Sequence, residues 1–128
     1  MTMQQQAVAA AISYMKSHLS ERVTLEQTAL AAGYSKYHLE RLFRQQTGQT
    51  VHRYLQQLRL AYAAEQLRTT RKPVVEIALD ACYESQPSFT TAFKQRYGVT
   101  PQVYRQQHTR TLLSAGIHSA AVTGRYAA

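Results

Sequence analysis

The sequence predicts an all-α protein in which two tandem helix-turn-helix subdomains are joined by a long linker helix, with about seven helices in total. Three observations lead to this prediction. One stretch of the chain repeats itself after about 50 residues. Each copy carries the start and stop residues of two short helices, and a longer apolar pattern of helical period lies between the copies.

The internal repeat is visible residue by residue. Residues 29–34 (ALAAGY) align with residues 78–83 (ALDACY) at an offset of 49. The match continues at an offset of 50 through these pairs: Ser35 and Ser85, Leu39 and Phe89, Phe43 and Phe93, Gly48 and Gly98, Thr50 and Thr100, Tyr54 and Tyr104. The second copy has one extra residue between Tyr83 and Ser85, where a turn can absorb it. Because two copies are too few for a solenoid, the repeat indicates a duplicated supersecondary unit.

The first copy carries the start and stop residues of two helices. Thr24 and Gln27 are spaced as a capping box, which predicts the start of a short helix that ends at Gly33. Ser35 can cap a second helix, and Gly48 is placed to stop it. We therefore expect a helix, a tight turn and a second helix.

The second copy has similar helix start and stop residues, with one change at the turn. Pro73 suits the first turn of a helix, Ser85 begins the next helix, and Gly98 ends it. Cys82 stands at the turn position that Gly33 holds in the first copy, where a positive φ would favour glycine. We expect the extra residue nearby to relieve that demand, and we interpret Cys82 as a small buried residue rather than a reactive thiol.

These patterns divide the chain into four segments. Residues 1–50 form the N-terminal helix-turn-helix subdomain, which opens with a helix from about Gln4 to Leu19. Residues 51–69 form the linker helix, which at ~1.5 Å per residue spans about 28 Å, close to the ~34 Å of one DNA turn. Residues 70–105 form the C-terminal helix-turn-helix subdomain. Residues 106–128 form a tail with no clear period and no assigned role.

The composition favours a protein that meets a polyanion. Fifteen Lys and Arg against seven Asp and Glu give a formal net charge of +8, as expected for a partner of nucleic acid or of an acidic membrane surface. A hydrophobic share of 45% is spread along the chain, which excludes a disordered protein. A single cysteine and the lack of a signal peptide or membrane span predict a soluble, cytoplasmic protein associated with the nucleoid.

Both copies meet the steric requirements of a DNA-binding helix-turn-helix. The motif needs a small residue where the helices cross, a turn residue four positions later, and apolar anchors in the second helix. The first copy supplies Ala29, Gly33, Tyr34, Leu39 and Leu42. The second copy supplies Ala78, Cys82, Tyr83, Phe89 and Ala92. Two such patterns in one basic chain indicate DNA binding far more specifically than one, and both tyrosines are expected in the core.

Three stretches of the sequence carry a family resemblance: residues 33–43 (GYSKYHLERLF), residues 83–94 (YESQPSFTTAFK) and residues 98–105 (GVTPQVYR). They resemble the DNA-binding domain of the AraC/XylS family, especially its short MarA/SoxS/Rob-like members, and the resemblance covers about residues 7–105. It implies a seven-helix monomer that inserts two recognition helices into successive major grooves on one DNA face. It also implies that the protein bends the DNA and recruits RNA polymerase.

The first recognition helix presents a polar face. Its period places these residues there: Lys36, Tyr37, Glu40, Arg41 and Arg44. By resemblance to the family, Tyr37, Glu40 and Arg41 stand where side chains read base edges. Arg41 has the forked donor geometry that suits guanine, and Glu40 can accept a hydrogen bond from the amino group of cytosine.

The second recognition helix offers fewer base readers. Gln86 matches a family reader and can pair bidentately with adenine, and Thr91 is the other predicted base contact. Pro87 stands where close relatives often have a second polar reader, and Thr91 where many have arginine, so we expect weaker base discrimination here. The predicted contacts to the DNA backbone are Ser35, Lys36, Arg44, Ser85, Ser88, Thr90, Lys94 and Arg105.

Several of these residues also have a structural interpretation. The basic side chains would fit an ordinary solvated helix face, and Tyr37 suits either stacking on the sugar-phosphate backbone or surface packing. The five histidines show no metal-ligand spacing, and the chain has no glycine loop that would cradle a phosphate. We therefore predict no metal, no cofactor and no enzymatic activity.

The sequence predicts a sequence-specific transcriptional regulator, and an activator by family resemblance. Its expected partners are double-stranded DNA, bound by a monomer, and RNA polymerase; no membrane is expected. Two alternatives stay open. The small reader set of the second unit would also suit an architectural protein that binds DNA with low specificity. The chain would equally suit the DNA-binding module of a larger fused sensor, an arrangement that the family often shows.

Overall fold

The computed structural model describes the backbone of residues 1–114 and the side chains of residues 1–108, and all regular elements in that part of the chain are α-helices. The seven helices are α1 (Met3–Ser17), α2 (Leu25–Ala32), α3 (Lys36–Thr47), α4 (Val51–Thr69), α5 (Val74–Asp80), α6 (Gln86–Tyr97) and α7 (Pro101–Ser114). This confirms the predicted all-α fold with two helix-turn-helix units, α2–α3 and α5–α6. None of the helices described is long and apolar enough to cross a membrane.

The first helix-turn-helix begins and ends where the sequence predicts. The Thr24 hydroxyl accepts the Gln27 N–H at 3.1 Å and the Gln27 side chain accepts the Thr24 N–H at 3.0 Å, which completes the capping box of α2. Helix α2 ends at Gly33 (φ 78°). Helix α3 is capped by Ser35 and ends at Gly48 (φ 75°). Glycine adopts this left-handed conformation without a steric penalty, which fixes both helix ends.

The second helix-turn-helix repeats this arrangement. The Pro73 carbonyl accepts the N–H groups of Glu76 and Ile77, so proline immediately precedes α5. Ser85 caps α6, and Gly98 (φ 82°) ends it. Both helix-turn-helix units therefore take their boundaries from local capping chemistry.

Cys82 departs from both expectations made for it. It has a φ of 66° and is exposed, so the extra residue does not relieve the positive φ and the thiol is not a buried filler. The reason is that the Tyr83 N–H bonds to the Ala78 carbonyl at 3.0 Å, as the Tyr34 N–H bonds to Ala29 in the first unit. Both turns close through the same hydrogen bond and need the same left-handed residue. The inserted residue lies after that turn and leaves it unchanged.

The three remaining helices lie outside these motifs. Helix α4 has the bounds predicted for the linker helix. Helix α1 ends two residues before the predicted Leu19, because His18 leaves the helical conformation (φ −130°) and its Nδ1 lies 2.7 Å from the Tyr14 carbonyl oxygen. Helix α7 runs on to Ser114, so the predicted boundary between residues 105 and 106 falls within a helix. The rest of the predicted tail lies outside the described residues.

The chain packs as two compact units, and the division between them falls within α4. Unit 1 is Met1–Ala61 with Asp80–Cys82, and unit 2 is Tyr62–Leu79 with the chain from Tyr83 onward. The core of unit 1 is formed by Ala7, Val8, Ala11, Met15, Ala29, Leu39, Leu42, Phe43, Val51 and Leu55. Buried residues of unit 2 include Ala63, Ala64, Leu67, Ile77, Ala78, Phe89, Phe93 and Pro101.

Each recognition helix is anchored by an aromatic pair, and the two pairs stand at equivalent positions of the repeat. The ring of Phe43 on α3 meets Tyr54 on α4 edge-on at 5.2 Å, and the ring of Phe93 on α6 meets Tyr104 on α7 edge-on at 5.3 Å. Burial of each phenylalanine contributes about 1.5 to 3 kcal/mol. This packing fixes α3 and α6 on their own units and leaves the opposite face of each helix exposed. Tyr34 and Tyr83 are half-buried beside these cores.

Candidate nucleic-acid interface

Helix α3 presents a basic and aromatic face. Its buried side carries Leu39, Leu42 and Phe43. Its exposed residues include Tyr37, Arg41, Arg44, Gln45 and Gln46. Tyr37, Arg41 and Gln45 are spaced by four residues and so form one ridge along the helix. Tyr37 is 79% exposed, which makes its ring available to a partner.

Lys36 has a carboxylate partner in the preceding helix. Its Nζ lies 3.2 Å from Glu26 Oε2 and 5.3 Å from the centre of the Tyr37 ring. The hydrogen bond to Glu26 raises the pKa of Lys36. The pKa of Glu26 is lowered by a backbone hydrogen bond within its own residue and, second, by Lys36. This exposed pair adds little to stability, but it holds a predicted phosphate contact beside a negative charge.

Glu40 lies on α3 but its carboxylate is engaged within unit 1. The Oε2 atom accepts the backbone N–H of Val51, the first residue of α4, at 3.0 Å. The side chain is half-buried. The residue predicted to accept from cytosine thus already accepts a hydrogen bond at the N-terminus of another helix.

Helix α6 exposes polar residues whose hydroxyl protons are used within the helix. The Ser85 hydroxyl donates to Ser88 Oγ at 3.1 Å, and the Ser88 hydroxyl donates to the Ser85 carbonyl at 3.0 Å. The Thr91 hydroxyl donates to the Pro87 carbonyl at 3.1 Å. Each hydroxyl has one proton to donate. Base-edge donors on this helix must therefore come from its longer side chains, of which Gln86, Lys94, Gln95 and Arg96 are exposed.

The remaining predicted contacts differ in their surroundings. Ser35 is exposed and its hydroxyl accepts the His38 N–H at 3.2 Å, which leaves its own proton for another acceptor. Thr90 is half-buried on α6. Arg44 and Lys94, at equivalent positions of the two recognition helices, are both exposed.

Arg105 is bonded inside unit 2. Its Nε donates to the Leu67 carbonyl at 3.0 Å, and its Nη2 donates to the carbonyls of Thr70 and Lys72 at 3.3 and 2.7 Å. Burial lowers the pKa of the guanidinium below its usual value. The side chain predicted to contact the DNA backbone thus ties α7 to the end of α4.

Arg59 forms a matching clamp in unit 1 that the sequence did not reveal. Its Nε donates to the Leu19 carbonyl at 3.1 Å and its Nη2 donates to the Glu21 carbonyl at 2.7 Å. The alignment of the two copies pairs Arg105 with Leu55, one helical turn away from Arg59. The two clamps have the same role at different positions, so comparison of aligned residues could not find them.

Comparison with known proteins identifies the family to which these units belong. A family of helix-turn-helix domains matches residues 28–107. The right origin-binding protein of Escherichia coli (strain K12) is 40% identical over 93 residues, or 73% of this chain and 32% of that protein. The chain thus spans about a third of the length of that relative. The regulatory protein SoxS of Salmonella typhimurium (strain LT2) is 38% identical over 103 residues, or 80% of this chain and 96% of SoxS.

Solved structures agree with the sequence relatives. A Chromobacterium violaceum transcriptional regulator, described as having an AraC-type DNA-binding domain, has a TM-score of 0.79 and 32% identity, with 81% of this chain and 93% of that chain covered. The DNA-binding domain of AdpA in complex with a target DNA has a TM-score of 0.75 and 25% identity, with 83% and 96% covered. The chain therefore belongs to the AraC/XylS family of helix-turn-helix proteins.

Proposed function

We propose that this chain is a sequence-specific regulator of transcription that binds double-stranded DNA as a monomer through α3 and α6. The observation that carries the proposal is the duplicated helix-turn-helix with exposed basic residues on each second helix, Arg41 and Arg44 on α3, Lys94 and Arg96 on α6. The solved DNA complex of a structural neighbour supports DNA as the partner. Two recognition helices in one chain supply the two readers for which many helix-turn-helix proteins need a dimer.

In this proposal α3 contributes more base discrimination than α6. Tyr37 and Arg41 read base edges from α3, and a bidentate contact between Arg41 and guanine discriminates against a wrong base by about 1 to 3 kcal/mol. On α6 the proposed base readers are Gln86, through its forked amide, and Thr91, which contributes its methyl group toward thymine. The backbone contacts that remain in the proposal are Ser35, Lys36, Arg44, Ser85, Ser88, Thr90 and Lys94. Of these, Ser85 and Ser88 must turn their hydroxyl protons away from their bonds within the protein to donate to a phosphate oxygen. Arg105 leaves this set because its guanidinium is bonded to protein carbonyls.

The transcriptional part of the proposal concerns RNA polymerase. The chain covers 96% of SoxS, which is named a regulatory protein. We propose that it activates promoters by recruiting RNA polymerase, and that it works in the cytoplasm where the chromosome lies. Transcription from a bound promoter with purified polymerase should rise when the protein is added. A bound promoter that stays unstimulated would assign a repressor role instead.

A second candidate function is low-specificity architectural binding. It is favoured by one observation, the internal bonding of the Ser85, Ser88 and Thr91 hydroxyls on α6. The test begins by selecting bound sequences from a library of random duplexes. Affinity for the selected site is then compared with affinity for a scrambled duplex at the same salt concentration. Specific reading predicts a preference of about 10³ or more, whereas equal affinities would support the architectural role.

A further inference from the structure

Helices α4 and α7 begin with the same local cap. The Thr50 hydroxyl accepts the Arg53 N–H at 3.1 Å, and the Thr100 hydroxyl accepts the Val103 N–H at 3.2 Å. Each threonine stands at the same position of the repeat, three residues after the end of the second helix of its helix-turn-helix. The two helix starts can therefore be compared residue by residue.

The first helical residue is where the two starts differ. In α7 it is Pro101, which has no backbone N–H and suits this position. In α4 it is Val51, which is 4% exposed and has an N–H that needs an acceptor. The acceptor is Glu40 Oε2 at 3.0 Å. At the position of Glu40 the second copy has Thr90, so the acidic acceptor and the donor it serves are absent together.

We propose that Glu40 is a positioning residue, which holds the recognition helix α3 against the N-terminus of α4 and does not read a base. The N-terminus of a helix favours a carboxylate, and the bond to Val51 is charge-assisted. Glu40 lies between Tyr37 and Arg41 on α3, so this bond fixes the part of the helix that carries both proposed readers. The inference rests on the proposed DNA reading by α3, and it replaces the prediction that Glu40 accepts from cytosine.

Three substitutions separate a positioning role from a reading role. Glu40→Gln keeps an acceptor oxygen, Glu40→Thr removes the long acceptor, and Glu40→Thr combined with Val51→Pro gives the first copy the arrangement of the second. A cavity of about 120 Å³ borders both Glu40 and Val51. The thermal unfolding midpoint of the double variant, compared with that of Glu40→Thr, serves as the control that proline is tolerated. Val51→Pro alone is not used, because the proline ring would collide with the Glu40 carboxylate, which lies 3.0 Å from the Val51 nitrogen.

The DNA experiment uses a duplex selected with the wild-type protein and all its single-base substitutions. Glu40→Thr should lower affinity for every duplex by about threefold to tenfold, the range expected for loss of one hydrogen bond. The added Val51→Pro should restore affinity to within about twofold of wild type, because no N–H is then left without an acceptor. Glu40→Gln should leave the order of preferred bases unchanged. A new preferred base in either single variant would overturn the proposal, as would a loss that proline does not restore.

A second readout needs no DNA and separates failure of this inference from failure of the proposed function. Hydrogen exchange of the Val51 amide should be slow in the wild type and in Glu40→Gln, and faster by about tenfold or more in Glu40→Thr. An unchanged rate in Glu40→Thr would overturn the positioning role whatever the protein binds. Loss of all sequence preference in the wild-type protein, with the Val51 amide still protected, would instead count against DNA reading alone.

Discussion

Arg41 on α3 and Lys94 on α6 are both exposed cations, but their chemistry suits different parts of DNA. The guanidinium of Arg41 is planar and presents several N–H donors in a fixed fork, which matches two acceptors on one guanine edge. The ammonium of Lys94 is a compact charge on a flexible stem, which suits a phosphate and carries little base information. Residue chemistry alone therefore assigns them different roles in recognition.

Replacing each of these cations with alanine should have a different effect. Arg41→Ala should lower affinity for a selected operator and weaken base preference at its own contact by about 1 to 3 kcal/mol. Lys94→Ala should weaken binding to all duplexes alike and reduce the slope of log affinity against log salt by about one. Affinities for single-base variants at several salt concentrations measure both effects. A changed base preference in Lys94→Ala would contradict the assignment.

Releasing Lys36 from its ion pair should tighten DNA binding without changing preference. Glu26→Gln removes the carboxylate that lies 3.2 Å from Lys36 Nζ. Because an exposed pair of this kind is weak, affinity for every duplex should rise only modestly, by up to about fivefold. A glutamate is charged at neutral pH, so a substitution is needed to remove this carboxylate's charge.

A second exposed pair provides the matched control for that experiment. Glu65→Gln also removes one negative charge, and it breaks the 2.8 Å pair between Glu65 and Arg68 on α4. Affinity for both variants is measured on the same duplexes at the same salt concentration. If Glu65→Gln raises affinity as much as Glu26→Gln does, the effect is one of net charge and the local account of Lys36 fails.

Among the elements, the turns of the two helix-turn-helix motifs have the same left-handed backbone conformation but carry different residues there. Gly33 (φ 78°) directly follows α2, and Cys82 (φ 66°) stands two residues after the end of α5. A Cβ added at Gly33 would meet no atom within 4 Å, so the strain of a side chain there comes from the backbone alone. The Cys82 thiol lies 3.4 Å from the Glu21 carbonyl oxygen, a weak contact that offsets little of this strain.

Substitutions of Cys82 and Gly33 should change the free energy of unfolding in opposite directions. Cys82→Gly should raise the free energy of unfolding by about 1 kcal/mol, because glycine adopts a positive φ without strain. Gly33→Ala should lower it by about 1 to 2 kcal/mol for the same reason. Denaturant titration of both variants measures the change. A destabilised Cys82→Gly protein would mean that the thiol contacts outweigh the strain.

The element boundaries could be predicted from the sequence because the interactions that set them are local. The capping box at Thr24, the serine cap at Ser35 and the glycine ends at Gly48 and Gly98 each act within a few residues. The burial of Cys82 was mispredicted because the conformation of a turn depends on which hydrogen bond closes it. The helical continuation of α7 was not predicted because its apolar residues follow no clear period.

The candidate site was predictable only in part, for a different physical reason. Exposure of Tyr37, Arg41 and Arg44 follows from the helical period and agrees with the structure. Their contacts with DNA stay predictions. The hydrogen bonds of Glu40, Arg59 and Arg105 join residues 11, 40 and 38 positions apart. Bonds of this length cannot be predicted from a local sequence pattern. Long-range hydrogen bonds thus decide which of the polar residues on a helix are free for a partner.

At the scale of the whole molecule, the net charge of +8 favours binding that depends strongly on salt. Lys36, Arg44 and Lys94 are proposed phosphate contacts, and each neutralised phosphate contributes about 0.9 to the slope. The slope of log affinity against log salt should therefore be about −2.7 or steeper. Binding should also saturate at one chain per site. A shallower slope, or binding that requires a second chain, would contradict the two-reader monomer.

Base reading by this chain, mainly through α3, can be measured with a single-base scan of a selected operator. Affinity is measured for every substitution in both halves, and the halves are assigned by the positions at which Arg41→Ala and Gln86→Ala lose preference. We expect losses of about 1 to 3 kcal/mol at positions in the α3 half and smaller losses in the α6 half outside the base that Gln86 contacts. Equal sensitivity in the two halves, or none in either, would contradict base reading mainly through α3.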